Sequence, residues 1–143
     1  MTPEIQQINN DVKNMAEDFV NHMNGILPTE LHLDYSEQSL KIIDALIEKL
    51  RSEGNDERKA VNEIMAIGAY VGEIMRRNFG GHWTKPELAG FPKDGATFSV
   101  VFVFPNHSST NPLGRVLKCF RHGSSYSIIP YYEVTKSQSK LQR

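Results

Sequence analysis

The sequence predicts a single α+β domain: three N-terminal helices packed on a small antiparallel sheet, with one or two helices after it. Three observations carry this. Apolar residues recur at helical spacing in three successive segments before residue 80. The stretch TFSVVFVFP at 97–105 is too continuously apolar to expose a whole face, so it reads as a central strand covered on both sides. A further helical pattern, started by Asn111-Pro112 and stopped by Gly123, follows it. With 143 residues the chain fits one core and needs no second domain.

The first helix opens with Thr2 as N-cap, Pro3 at the first helical position and Glu4 near the positive helix end. Ile5, Ile8, Val12, Met15, Phe19, Val20 and Met23 make its apolar stripe, Gly25 offers a left-handed stop, and Pro28 prevents resumption. ELHLDYS alternates Leu31, Leu33 and Tyr35 against His32 and Asp34, the pattern of a short extended segment with one buried face. Asp34 or Ser36 then caps a second helix whose inner face is Leu40, Ile43, Leu46, Ile47 and Leu50. After the polar break SEGNDE, a third and more apolar helix runs from about Asp56 to Phe79. HWTKPEL reads as a short strand and AGFPKDGA as a turn. In the helix started at Asn111, Leu113, Val116, Leu117 and Phe120 face inward. Residues 125–135 fit either a helix with Pro130 in its first turn or an edge strand, the helix being preferred. The tail 136–143 has no apolar periodicity and is expected to fray.

The stretch GAYVGEIMRRNFGGHW, residues 68–83, holds four glycines. A phosphate-binding glycine loop precedes a helix, where free N–H groups point outward. Here Gly80 and Gly81 follow one, so they are expected to stop it, with Arg76 and Arg77 suited to its negative end. Gly68 and Gly72 lie four apart, one above the other, and let a neighbour approach closely. Glu73 and Arg77 form an i, i+4 pair whose plain reading is an exposed ion pair. The sharper reading places Glu73, Arg76, Arg77, His82 and Trp83 at a ligand-binding cleft between helix end and sheet.

Other chemistry is thinly supported. The five histidines are scattered with no i, i+4 pair, and no metal site or cofactor is expected. The single cysteine, Cys119, excludes an internal disulfide, and beside Phe120 it reads as a small buried hydrophobe rather than the partner of His122. Arg115, Lys118 and Arg121 trend along one face of their helix near Tyr126, Tyr131 and Tyr132, which is either a solvated face or a nucleic-acid surface. No catalytic residue is assigned.

At LDYSEQSLKIIDALIEKL, GAYVGEIMRRNFGGHW and NPLGRVLKCFRHG the chain resembles small bacterial proteins grouped as domains of unknown function. The resemblance spans roughly residues 31–133. It implies a bacterial cytosolic α+β domain, brings no activity with it, and marks Gly72, Glu73, Arg77, Trp83 and Pro112 as parts of a shared pattern.

The halves of the chain differ in charge. Residues 1–63 carry six Lys/Arg against thirteen Asp/Glu, and residues 64–143 carry ten against four. Either the halves neutralise each other across the fold, or the acidic half steers toward a basic partner. No apolar run is long enough to span a bilayer and the start lacks a secretory pattern, so a cytoplasmic protein without membrane attachment is expected. The functional expectation is a non-catalytic protein-interaction module, immunity- or antitoxin-like, whose acidic half could meet a basic protein partner. The alternatives are a small-ligand-binding protein or modest enzyme using Glu73, Arg77 and His82, and a nucleic-acid binder.

Overall fold

The computed structural model describes residues 1–92, 96 and 98–141. Lys93, Asp94 and Gly95 of the expected turn, Thr97 of the expected strand, and Gln142 and Arg143 of the tail lie outside the described residues. Five α-helices and a three-stranded antiparallel sheet make an α+β fold. The helices are α1 (Pro3–Asn24), α2 (Leu40–Ser52), α3 (Glu57–Phe79), α4 (Pro112–His122) and α5 (Ile128–Ser139); the strands are β1 (His82–Thr84), β2 (Val101–Val103) and β3 (Ser109–Thr110).

The helix starts follow from their caps. Thr2 Oγ accepts from the Ile5 amide at 3.2 Å, Asp56 accepts from Lys59, and Asn111 accepts from Gly114. Ser36 caps a 3-10 turn over Glu37–Ser39 that feeds directly into α2, while the Asp34 carboxylate accepts from the Ser36 amide one step earlier. α5 is capped from outside. Asp44 on α2 accepts from the amides of Ile128 and Ile129 and from Ser127 Oγ, so residues 125–135 resolve into a 3-10 turn at Ser124–Tyr126 followed by helix. The last turn of α5 occupies residues 136–139, where fraying was expected. It is tied by Lys136 to Glu37 and by Asn106, which donates to the carbonyls of Gln138 and Leu141.

Three local expectations are corrected. Gly25 ends α1 with φ −74°, not left-handed, because the chain continues in a tight turn with the Leu27 amide on the Met23 carbonyl. Residues 31–36 form no strand. Leu33 is buried, but Leu31 is exposed and Tyr35 takes φ +63°, which breaks the alternation. The strands are also shorter than expected: β1 stops at Thr84 because Pro86 opens a 3-10 turn over Pro86–Ala89, and the central strand therefore loses its partner before Val101.

α3 is the axis of the core. From Ile67 to Met75 every residue is buried, so this half of the helix is enclosed on all sides rather than along one stripe. α1 and α4 make its most extensive contacts, and the sheet lies against Gly72 through Trp83. β1 pairs with β2 and β2 with β3, with Trp83 opposite Phe102 and Val103 opposite Ser109. α3 ends where the glycine doublet begins. The Gly80 amide bonds to the Arg76 carbonyl at φ +79°, so the doublet closes a helix.

Candidate functional site

Close approach explains two of the four glycines. A Cβ on Gly72 would lie 2.0 Å from Trp83 Cζ2, and one on Gly68 would lie 2.9 Å from the Leu113 Cα. Trp83 is thus driven into α3 and is only 1% exposed, edge-on to Phe102 with centroids 5.5 Å apart. Its backbone is held from the other side. Asn9 on α1 accepts from the Trp83 amide at 2.8 Å and donates to its carbonyl at 2.9 Å, filling the place of a missing neighbour strand. Trp83 is therefore a core residue. His82 is half-buried on β1 opposite Val103, and its side chain forms no hydrogen bond among the described residues.

Glu73, Arg76 and Arg77 do converge. The Glu73 carboxylate is buried, and it accepts from Arg76 at 2.6 and 2.9 Å and from Arg77 at 3.2 Å. This is not the exposed pair of the plain sequence reading. Burial pushes the carboxyl up, but the hydrogen bonds from the two guanidinium groups outweigh it and hold it below the usual carboxylate range. Each arginine keeps about two-fifths of its side chain exposed.

A second layer backs this cluster, built by residues that sequence reasoning passed over. The Arg77 guanidinium carbon lies 3.6 Å from the Tyr35 ring centroid, and Tyr35 stacks on Tyr70 at 5.0 Å. The Tyr70 hydroxyl accepts from the Tyr35 amide at 2.9 Å. It donates to Ser39 Oγ at 2.6 Å, since the Ser39 proton is directed at the Ser36 carbonyl. Tyr35 is one of two non-glycine residues with positive φ among the described residues, a conformation that costs of order 1–3 kcal/mol. Its buried hydroxyl has no partner among the described residues. The available sequence signal was the lone carboxylate of Glu73 inside the apolar run IMAIGAYVGEIM; nothing in the sequence announced Tyr35 as left-handed.

The basic stripe of α4 is dispersed by its surroundings. Arg121 forms a two-bond pair with Glu57 at 2.6 and 2.9 Å. Arg115 is half-buried over Tyr126 and Tyr131 with its buried Nε unpartnered among the described residues, and Lys118 is exposed, so of the three only Arg121 has a hydrogen-bonded partner. Cys119 is buried, and burial pushes its thiol up to about 11. It lines a cavity of about 370 Å³ with Asp44, Arg51 and His122, whose Asp44 and Arg51 are already engaged on α5 and on the Phe120 carbonyl. No group of three or more metal-ligating side chains occurs among the described residues.

None of the four main cavities among the described residues is lined by Glu73, Arg77, His82 or Trp83. The most apolar opening is a trough between α1 and α2, which both pack on α3. Two adjoining cavities of about 440 and 170 Å³ share Met23, Ile26, Leu46 and Lys49 there. Comparison with family models, curated proteins and solved structures found no match. No helix among the described residues is long and apolar enough to cross a membrane.

Proposed function

We propose that this protein is a non-catalytic protein-interaction module of a bacterial cytosol, immunity- or antitoxin-like, whose partner is basic. One observation carries the reading: the fold pairs several charges of its two halves with each other but leaves acidic side chains exposed on α1. Glu4, Glu37 and Glu57 pair with Lys85, Lys136 and Arg121 of the basic half, and Asp44 and Asp56 cap helices. Asp11, Glu17 and Asp18 on α1 are exposed and form no ion pair among the described residues. Asp11 and Asp18, seven residues apart, share one side of the helix, and Glu17 lies about a quarter-turn round from them on the side of the exposed Lys13.

The test compares the tagged full chain with Asp11→Lys/Glu17→Lys/Asp18→Lys in capture from native host lysate. The wild type is expected to retain one stoichiometric basic protein, and to retain less as salt rises, because screening shortens from about 10 Å at 0.1 M to about 3 Å at 1 M. Equal capture by the variant, or no capture by either, overturns the reading.

A second reading is favoured by the Glu73 cluster: two half-exposed guanidinium groups fixed beside a left-handed tyrosine are suited to a small carboxylate or phosphate. Calorimetric titration with citrate and with inorganic phosphate tests it, and absence of heat with both rejects it.

A further inference from the structure

We infer that the trough between α1 and α2 is covered by a second copy of this chain, the two copies related by a two-fold axis that sets their α2 helices antiparallel. This goes beyond the proposed function, since the trough does not use the acidic residues of α1.

The physical starting point is exposed apolar surface. Ile26 and Leu31 are 65% and 44% exposed at the rim, and Leu46 and Ile42 supply a half-buried wall on α2. α3 closes the floor with the buried Ile67. Large side chains of this kind, gathered along one opening, stay unsatisfied in water and reward association by roughly 25 cal/mol per Å² removed from solvent.

Charge selects the occupant. The trough is polar at its ends and the ends differ: Lys41 stands at one, and Glu53 and Glu63 stand at the other, near Lys49. Lys41 and Glu53 are twelve residues apart on and just beyond α2, so about 18 Å separates them along the helix axis. A two-fold axis crossing α2 near Ile47 reverses one helix on the other. Lys41 of each copy then meets Glu53 and Glu63 of its mate, and both ends are satisfied by one operation. At the same register Ala45 faces Lys49 of the other copy. Ala45 is exposed and small, so the two helices can approach closely where they cross, and the lysine stem can lie over it. A parallel arrangement would instead set like charges together.

Sedimentation equilibrium of the full chain tests the proposal across a concentration series, with circular dichroism verifying that each variant is folded. The wild type is expected to show a concentration-dependent species of twice the 16.2 kDa chain mass. Lys41→Glu acts at both ends of a two-fold dimer and is expected to raise the dissociation constant about tenfold. Glu53→Lys/Glu63→Lys is expected to do the same by setting lysines against Lys41. Combining all three substitutions reverses both ends and restores wild-type association. Ile26→Asp, which leaves the ends intact, is expected to weaken the dimer at least about tenfold by placing charge on the apolar rim. A monomeric wild type at about 0.2 mM overturns the inference, since a site covered at working concentrations leaves a dimer visible there. A dimer insensitive to Ile26→Asp and Lys41→Glu, or a triple variant as weak as Lys41→Glu alone, overturns it equally.

Discussion

Replacing Gly72 by alanine tests the packing at the centre of the fold. In an isolated helix the change is favourable by about 1 kcal/mol, because alanine is the better helix former. Here the added carbon would sit 2.0 Å from Trp83 Cζ2 and 2.6 Å from Cη2, against about 3.4 Å for ordinary contact. The indole cannot slide away cheaply. Phe102 stands edge-on to it, and Asn9 fixes its backbone by two hydrogen bonds. Overpacking of this kind costs about 1–3 kcal/mol, and expulsion of the ring would approach the ~3–5 kcal/mol of deleting a large aromatic. A 2.0 Å approach to a ring held in this way puts the cost in the upper range, about 3–5 kcal/mol, and subtracting the propensity gain leaves a net loss of roughly 2–4 kcal/mol, or about 6–12 °C in Tm for a chain of this size. Thermal and urea unfolding read it directly. Trp83 is the sole tryptophan, so its fluorescence reports the same contact. A phenyl ring at 83 lacks the benzo edge that the new carbon strikes, so Trp83→Phe is expected to absorb much of the effect, with a coupling of at least ~1 kcal/mol in the double-mutant cycle. A Gly72→Ala protein as stable as wild type, or additive losses in the cycle, would refute the close-packing argument.

Asn9→Ala and Asn24→Ala are each expected to cost about 1–3 kcal/mol, measured by urea unfolding, because each leaves both backbone groups of an extended residue without a partner. Glu73→Gln is expected to lower stability at pH 7 by about 1–2 kcal/mol, the exposure of both arginines limiting the effect. Its sign with pH is fixed. A carboxylate depressed in the folded state stabilises above its unfolded value, near 4.5, and that contribution fades as pH falls through the folded value. The wild-type advantage over Glu73→Gln should therefore shrink on acidification below about pH 4.5, and an advantage independent of pH would count against the ion-pair account. Cys119 is expected to resist a thiol-specific disulfide reagent at pH 8 until denaturant is added; a rapid native reaction would contradict its burial and its raised pKa.

The elements that the sequence disclosed are those whose causes are local. Thr2, Asp56 and Asn111 cap helices three residues downstream, and Gly80 and Gly123 end helices through their own positive φ. What stayed hidden depends on partners distant in the chain. Asp44 caps α5 across 84 residues, so the choice between helix and strand at 125–135 was settled by a carboxylate on another helix. Asn9 reaches Trp83 across 74 residues and replaces a sheet neighbour, which no strand pattern encodes. The residues of GAYVGEIMRRNFGGHW divide in the same way. Gly72 and Trp83 turned out to be one contact seen from two sides, whereas Glu73 and Arg77 acquired a stacked tyrosine pair that neither position foretells.

Charge shows most clearly why sequence asymmetry and surface asymmetry differ. The contrast between an acidic first half and a basic second half would be a dipolar molecule if the halves packed as separate lobes. They do not, because α4 and α5 lie against α2 and α3, and the opposite charges meet at the seams: Glu37 on Lys136, Glu57 on Arg121, Glu4 on Lys85. Each seam removes an anion from the acidic half, and the Glu57–Arg121 seam removes a cation from the candidate nucleic-acid surface. The subtraction is uneven. The α4 stripe loses Arg121 to Glu57 and Arg115 to two tyrosine rings, while Asp11, Glu17 and Asp18 on α1 form no ion pair among the described residues. The same argument sets a measurable consequence: Glu57→Ala frees Arg121, and fluorescence anisotropy with a short RNA should then detect salt-sensitive binding stronger than that of the wild type. If binding is strong in the wild type and unchanged by the substitution, the cations of α4 are not held back by their ion pair, and the preference for a protein partner loses its physical basis.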